Sequence, residues 1–167
     1  MSTLETLFGR PDDDAGLPRA LRLRMIRPVF ESVTIQEENG AYLFGHPLTC
    51  SQTVFDTFRF LQQETKEHFL ALHLDSKNRL VCVDHVATGS LSACVVHPRE
   101  VFKSALLSSA AAILLLHNHP SGDTTPSRED LELTGRLKDA GELLGIRVLD
   151  HLIVGESYLS MADRGLL

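Results

Sequence analysis

The run at positions 111–116, Ala-Ala-Ile-Leu-Leu-Leu, constrains this chain more than any other stretch. It is apolar on both faces, too short to cross a bilayer, and ends at His117 just before a Pro-Gly loop. A short apolar run bounded in this way predicts a strand at the centre of a sheet that is covered on both sides. Covering helices are legible on either flank. Before the run, Pro98 stands at a first helical position, and Val101, Phe102, Ala105 and Leu106 carry an amphipathic helix to about Ser109. After it, a helix is expected over 128–144, with Leu131, Thr134 and Leu137, and Leu144 beyond, as its inward stripe.

Elsewhere the periodicity is equally readable. Stretches 68–75 and 80–86 alternate apolar and polar residues around Ser76-Lys77-Asn78-Arg79, which predicts a β-hairpin. A helix from Ser51 to about Thr65 would turn Val54, Phe55, Phe58, Leu61 and Gln62 inward. Further strands are expected at 29–36, 41–44 and 92–96, and a closing hairpin pairs 147–154 with 158–161 around Gly155. Strands and helices interleave without a strict βαβ repeat, so the expected fold class is α/β, a mixed β-sheet flanked by helices in a single domain. A chain of 167 residues can bury such a core without disulfide or metal staples.

That domain is expected over 46–167. Residues 1–45 read as an N-terminal leader with short strands, because Asp12-Asp13-Asp14 and the Gly16-Leu17-Pro18 breaker interrupt any periodic pattern. Within the leader, Arg19, Arg22, Arg24 and Arg27 form a basic stripe, read either as an edge strand with a solvated face or as a small nucleic-acid contact. The net charge of −6 argues against a dedicated binder of the phosphate backbone. Contacts from the stripe alone would give a log–log salt slope of about −3.6, so weak, salt-dependent DNA binding or none is expected. The N-terminus has neither the basic flank nor the apolar length of a signal peptide, and no membrane partner is expected. Three cysteines without a Cys-x-x-Cys pair fit a reducing compartment, hence the cytoplasm.

The chemistry gathers where the apolar run ends, at His117-Asn118-His119-Pro120-Ser121-Gly122. Residues two apart in a strand share a face, so His117 and His119 can aim both imidazoles at one point. Asp130 lies eleven positions after His119, and Pro120, Gly122 and Pro126 let the loop fold back and return its carboxylate to that point. Two histidines and a carboxylate with a fourth position open is the donor set of a catalytic zinc site, and equally of a non-haem iron facial triad. Each part also has a plainer role. A histidine at the end of a buried strand can be a hydrogen-bonded core residue, and Ser127 with Asp130 three positions later is close to a helix capping box.

His-x-His, seven residues, Ser, two residues, Asp resembles the JAMM (MPN+) metalloprotease motif at every position. The stretch HNHPSGDTTPSRED at 117–130, with LDHLIVG at 149–155, HPRE at 97–100 and LDSKNRL at 74–80, resembles the RadC family of JAB/MPN-domain proteins. The resemblance runs from about His46 to Leu167 and implies a JAB/MPN fold with zinc (Zn2+) held by His117, His119 and Asp130. It further implies that Glu67, with Glu64 as competitor, is the catalytic acid and base, and that Ser127 donates to the oxyanion of a tetrahedral intermediate. Asp150 and His151 match the family's Asp-His pair, with a role in orienting a ligand imidazole or as satisfied structural groups. The activity so implied is that of a zinc metalloprotease acting on an amide, peptide or isopeptide bond in a protein or peptide substrate. The alternative is a DNA-repair-associated RadC-like accessory protein without autonomous peptidase activity. Full-length RadC proteins usually open with a helix-hairpin-helix segment, and the leader here lacks its glycine hairpins.

Overall fold

The computed structural model describes residues 29–31, 46–89 and 96–167. The arginine stripe, the strand expected at 41–44, most of that at 29–36 and nearly all of that at 92–96 lie outside the described residues. In chain order come α1 (Ser51–Thr57), a 3-10 turn (Arg59–Gln63), β1 (His68–Leu74), β2 (Leu80–Thr88) and α2 (Pro98–Leu107). They are followed by β3 (Ala112–Asn118), α3 (Arg128–Leu144), β4 (Arg147–Val154) and β5 (Tyr158–Ser160). The five strands form one mixed sheet in the order β2-β1-β3-β4-β5, with β3 and β4 parallel and every other pair antiparallel. The expected α/β class is the observed one.

The apolar run occupies the middle of this sheet, and every residue of β3 is buried. Its alternation divides the core in two. Leu114 and Leu116 join Leu70 and Leu72 of β1 beneath Val54, Phe55, Phe58 and Leu61 on one face. On the other, Ile113 and Leu115 join Phe69 and Ala71 beneath Val101, Phe102 and Ala105 of α2 and Leu133 and Leu137 of α3. Because β3 and β4 run parallel, the chain crosses over through α3, and the loop leaving β3 meets the N-terminus of that helix. The carboxyl ends of parallel strands in such sheets are where crevices open.

Several expectations need correction in detail. The helix expected to reach Thr65 breaks at Phe58 (φ −97°, ψ 17°) into the 3-10 turn, whose period of three keeps Phe58 and Leu61 both pointing at the sheet. The inward face of α3 is Leu133, Thr134, Leu137 and Gly141, while Leu131 and Leu144 are exposed, as is Leu106 of α2. Gly141 explains the rotation of that face: a Cβ there would stand 2.4 Å from the Ile146 carbonyl oxygen, so the helix approaches closely along this line. Gly145, at φ +70°, then ends α3 in the left-handed conformation that a C-terminal cap demands. Strand β2 runs on to Thr88, past the expected end at Val86. Among the described residues no helix is long and apolar enough to cross a membrane.

Candidate metal centre

His117 lies at the carboxyl end of β3 and projects onto the α3 side, where the Phe69 ring stacks on it at 6.0 Å between centroids and 12° between planes. His119 follows directly after the strand, held in place because its N–H donates to the Val154 carbonyl at 2.8 Å. The loop then folds back. Gly122 N donates to the His119 carbonyl (3.0 Å), and the Gly122 carbonyl accepts from Glu156 N (2.8 Å). Gly155 permits this crossing, since a Cβ there would stand 2.2 Å from the Gly122 carbonyl oxygen. The returning chain enters α3 at Ser127, with Asp130 in its first turn.

The loop thereby closes a triangle. His117 Nε2 and His119 Nε2 are 3.0 Å apart, Asp130 Oδ1 is 3.3 Å from the former, and Asp130 Oδ2 is 3.4 Å from the latter. The two oxygen edges end on different atoms of one carboxylate, and one donor atom from each of the three residues lies within 4.8 Å of the others, close enough for the three to share one ion. His117 and Asp130 are shielded (side-chain exposures 1% and 13%), and His119 is 18% exposed. Among the described residues this is the only group of three metal-ligating side chains drawn so close. Burial opposes ionisation of Asp130, but bonds from His117 and His119 outweigh it and hold the carboxyl far below the usual carboxylate range. His119 is shifted upward, chiefly by its bond with Asp130.

Both imidazoles are oriented from behind. His119 Nδ1 lies 2.7 Å from the Asp123 carbonyl oxygen, which can only accept, so Nδ1 carries a proton, and Nε2 presents a lone pair to the triangle once it gives up the proton it shares with Asp130. His117 Nδ1 lies 2.8 Å from Nε2 of His151, whose Nδ1 in turn lies 2.6 Å from Thr134 Oγ1. Thr134 donates its single hydroxyl proton to the Asp130 carbonyl at 2.6 Å. His151 must then donate to Thr134 from Nδ1, and His117 must donate to His151 from Nδ1, so that when the His117 ring is neutral its lone pair is on Nε2, aimed at the triangle. His151 is fully buried, and burial, with the His117 charge adding to it, pushes it well below the ordinary histidine value, so it stays neutral as the relay requires. Thr134 was expected only as part of a helix stripe. Nothing in its local sequence marks it as a partner of residue 151.

Glu67 is half-buried just before β1. Burial raises its carboxyl; the nearby imidazoles of His117 and His119 lower it and the Asp130 charge raises it, so all three members of the triangle act on it. Glu64 instead turns to His68, with Oε2 at 3.5 Å from Nε2. Asn118, between the two histidines, points to the opposite face, where Oδ1 accepts from His68 N (2.7 Å) and Nδ2 donates to the Lys66 carbonyl (3.0 Å). It thus grips the backbone on both sides of Glu67.

Ser127 caps α3: Asp130 N donates to its Oγ (3.1 Å) while Ser127 N and Oγ donate to Asp130 Oδ2 at 2.8 and 2.6 Å. The cap and the ligand carboxylate are therefore one structure. Asp150 belongs elsewhere. Its carboxylate accepts from His151 N, Ala162 N and the Ser160 hydroxyl (2.7, 2.9 and 2.5 Å), tying β4 to the C-terminal turn.

Comparison with known proteins places the chain among relatives of one family. The family described as RadC-like JAB domain matches residues 48–166. A UPF0758 protein of Syntrophotalea carbinolica is 54% identical over 125 residues, covering 74% of this chain and 55% of its own. One from Geotalea uraniireducens is 53% identical over 121 residues, covering 71% and 53%. A third, from Bacillus cereus strain G9842, is 42% identical over 151 residues, covering 90% and 66%. The chain spans somewhat over half the length of these curated relatives.

Proposed function

The chain belongs to the RadC-like JAB domain family, and on that premise we propose that it is a zinc-dependent hydrolase of the JAMM type. It would cleave an amide, peptide or isopeptide bond in a protein or peptide substrate, in the cytoplasm, without itself binding DNA tightly. The observation that carries this reading is the gathering of His117, His119 and Asp130, with the Glu67 carboxyl near enough for all three to act on it. Zinc held there supplies a Lewis acid strong enough to ionise water near neutral pH.

The chain's own residues divide the remaining work. Glu67, raised by burial and gripped through its flanking backbone by Asn118, takes a proton from the attacking water and returns it to the leaving amine, a contribution of about 10²- to 10⁴-fold. Ser127 holds Asp130 in the resting geometry, and by rotating its hydroxyl away from Oδ2 it donates to the developing oxyanion. Two histidines and a carboxylate also suit iron, but a further carboxyl within electrostatic reach of all three, available to carry a proton, favours hydrolysis over oxygen chemistry.

The test is a library of peptides and isopeptide-linked lysines incubated with the zinc-loaded chain. Cleavage that disappears with a chelator and with Asp130→Ala is the expected result. No cleavage of any member, together with nanomolar duplex binding at physiological salt, would overturn this reading in favour of the DNA-associated accessory role.

A further inference from the structure

A second cluster of histidines stands at the same end of the sheet on its opposite face. The pairing of β1 with β2 shifts between Phe69 and Leu70: His68 pairs with Thr88 and Phe69 with Ala87, but Leu70 pairs with His85. Val86 is the extra residue of this bulge. In regular pairing it would oppose Leu70, and His85 would point to the α2 side. The bulge instead leaves Val86 and Ala87 together against the α2–α3 layer and turns His85 to the face that carries His68 and Thr88.

The consequence is a second triangle of donor atoms. His68 Nδ1 and His85 Nε2 are 3.1 Å apart, and Thr88 Oγ1 lies 3.1 Å from the latter and 3.4 Å from the former. The nitrogen–nitrogen edge nearly repeats that of His117 and His119, at 3.0 Å. Glu64 completes the arrangement from behind. Its carboxylate lies 3.5 Å from His68 Nε2, so it favours the proton on that nitrogen and leaves the Nδ1 lone pair facing His85. A carboxylate behind an imidazole is the usual way a metal-binding histidine is held.

We propose that His68 and His85 form a second site for a divalent transition ion of the zinc, nickel and copper class, with Glu64 orienting His68 and Thr88 bonding a water on the ion. Imidazole donors select that class over magnesium or calcium. Only histidines and a neutral hydroxyl face the ion, on a half-exposed surface, so binding here is weaker than at a buried triangle that carries a carboxylate.

Zinc titration of the untagged full chain, followed by calorimetry and by the zinc retained after dialysis, tests this. Wild type should show a tight event and a second, weaker one. His85→Asn, an exposed change away from the proposed catalytic residues, should lose the weaker event alone, and Asp130→Ala the tighter one alone. Ring-nitrogen NMR of wild type should show His68 and His85 shifting in step with the weaker event, and added magnesium should displace nothing. A second event that survives His85→Asn, the absence of any event dependent on His85, or unmoved His68 and His85 resonances would overturn the proposal. A single event lost with His85→Asn and untouched by Asp130→Ala would leave this site standing while the catalytic reading fails.

Discussion

His117 with His119 and His68 with His85 are nearly the same pair by distance, 3.0 and 3.1 Å between nitrogens, yet the molecule treats them differently. The first pair is backed by a buried relay through His151 and Thr134 and by the Asp123 carbonyl, and shares its third corner with a carboxylate fixed in a capping box. The second has a surface carboxylate behind one ring and a hydroxyl as its third corner. Spacing alone therefore does not make a catalytic centre. What separates the two is how far the surroundings fix the donor lone pairs and how much negative charge they keep out of water.

Removing the charge from the first site is the largest perturbation. Asp130→Ala or His119→Ala deletes one of the proposed ligands, so tight zinc binding and hydrolysis should vanish together, as measured by metal content and by cleavage of the substrate returned by the library. Zinc retained at wild-type affinity in Asp130→Ala would mean that the triangle is not the tight site. Glu67→Gln is the next step down. It preserves shape and touches no proposed ligand, so metal content should hold while turnover falls by about 10²- to 10⁴-fold. Loss of zinc in Glu67→Gln as complete as in Asp130→Ala would make Glu67 a ligand. Full activity would send the proton-carrying role elsewhere, although Glu64 is turned toward His68.

The first site was largely legible in the sequence and the second was not, for physical reasons. His117 and His119 share a face because a strand alternates, and the Pro-Gly loop with Ser127 and Asp130 announces a helix start, so local rules reach all three corners. Thr134 and His151 meet only because β3 and β4 pair in parallel with α3 laid across them, and that register is a tertiary fact. The second cluster depends on a bulge at Val86, and a single inserted residue inverts which side chains share a face without leaving a composition signal. The break at Phe58 and the exposure of Leu131 have a similar origin. Which of several equally apolar residues turns inward is settled by close packing, as at Gly141, and not by periodicity.

Ser127→Ala sharpens the contrast by loosening the carboxylate corner without removing it. The substitution deletes the hydroxyl that bonds Oδ2 and the acceptor for Asp130 N, so stability should drop by about 1 kcal/mol through the lost cap. Turnover should fall by about 10²-fold if the hydroxyl also serves the oxyanion. Denaturant unfolding and cleavage on the same preparation separate these effects. A full loss of cap stability with unchanged turnover would confine Ser127 to the helix start.

Thr134→Val is the finest of these tests, because it keeps the shape and removes one oxygen from the relay. Without Oγ1, His151 Nδ1 loses its acceptor and the Asp130 carbonyl loses a donor at 2.6 Å, both inside a buried layer. The His151 proton is then free to move to Nε2, which faces His117 Nδ1, and the relay no longer dictates which His117 nitrogen carries a lone pair. Partners of this kind contribute about 10- to 100-fold to metal affinity, so zinc should bind the triangle roughly tenfold more weakly or worse, with the ligands all present. The weaker event at His68 and His85 lies on the other face of the sheet and should not move, which makes it an internal standard for the same titration. Equal weakening of both events would trace the effect to a general loosening of the fold, whereas a change in the first alone assigns it to the His117 tautomer, which ring-nitrogen NMR of His117 reads directly.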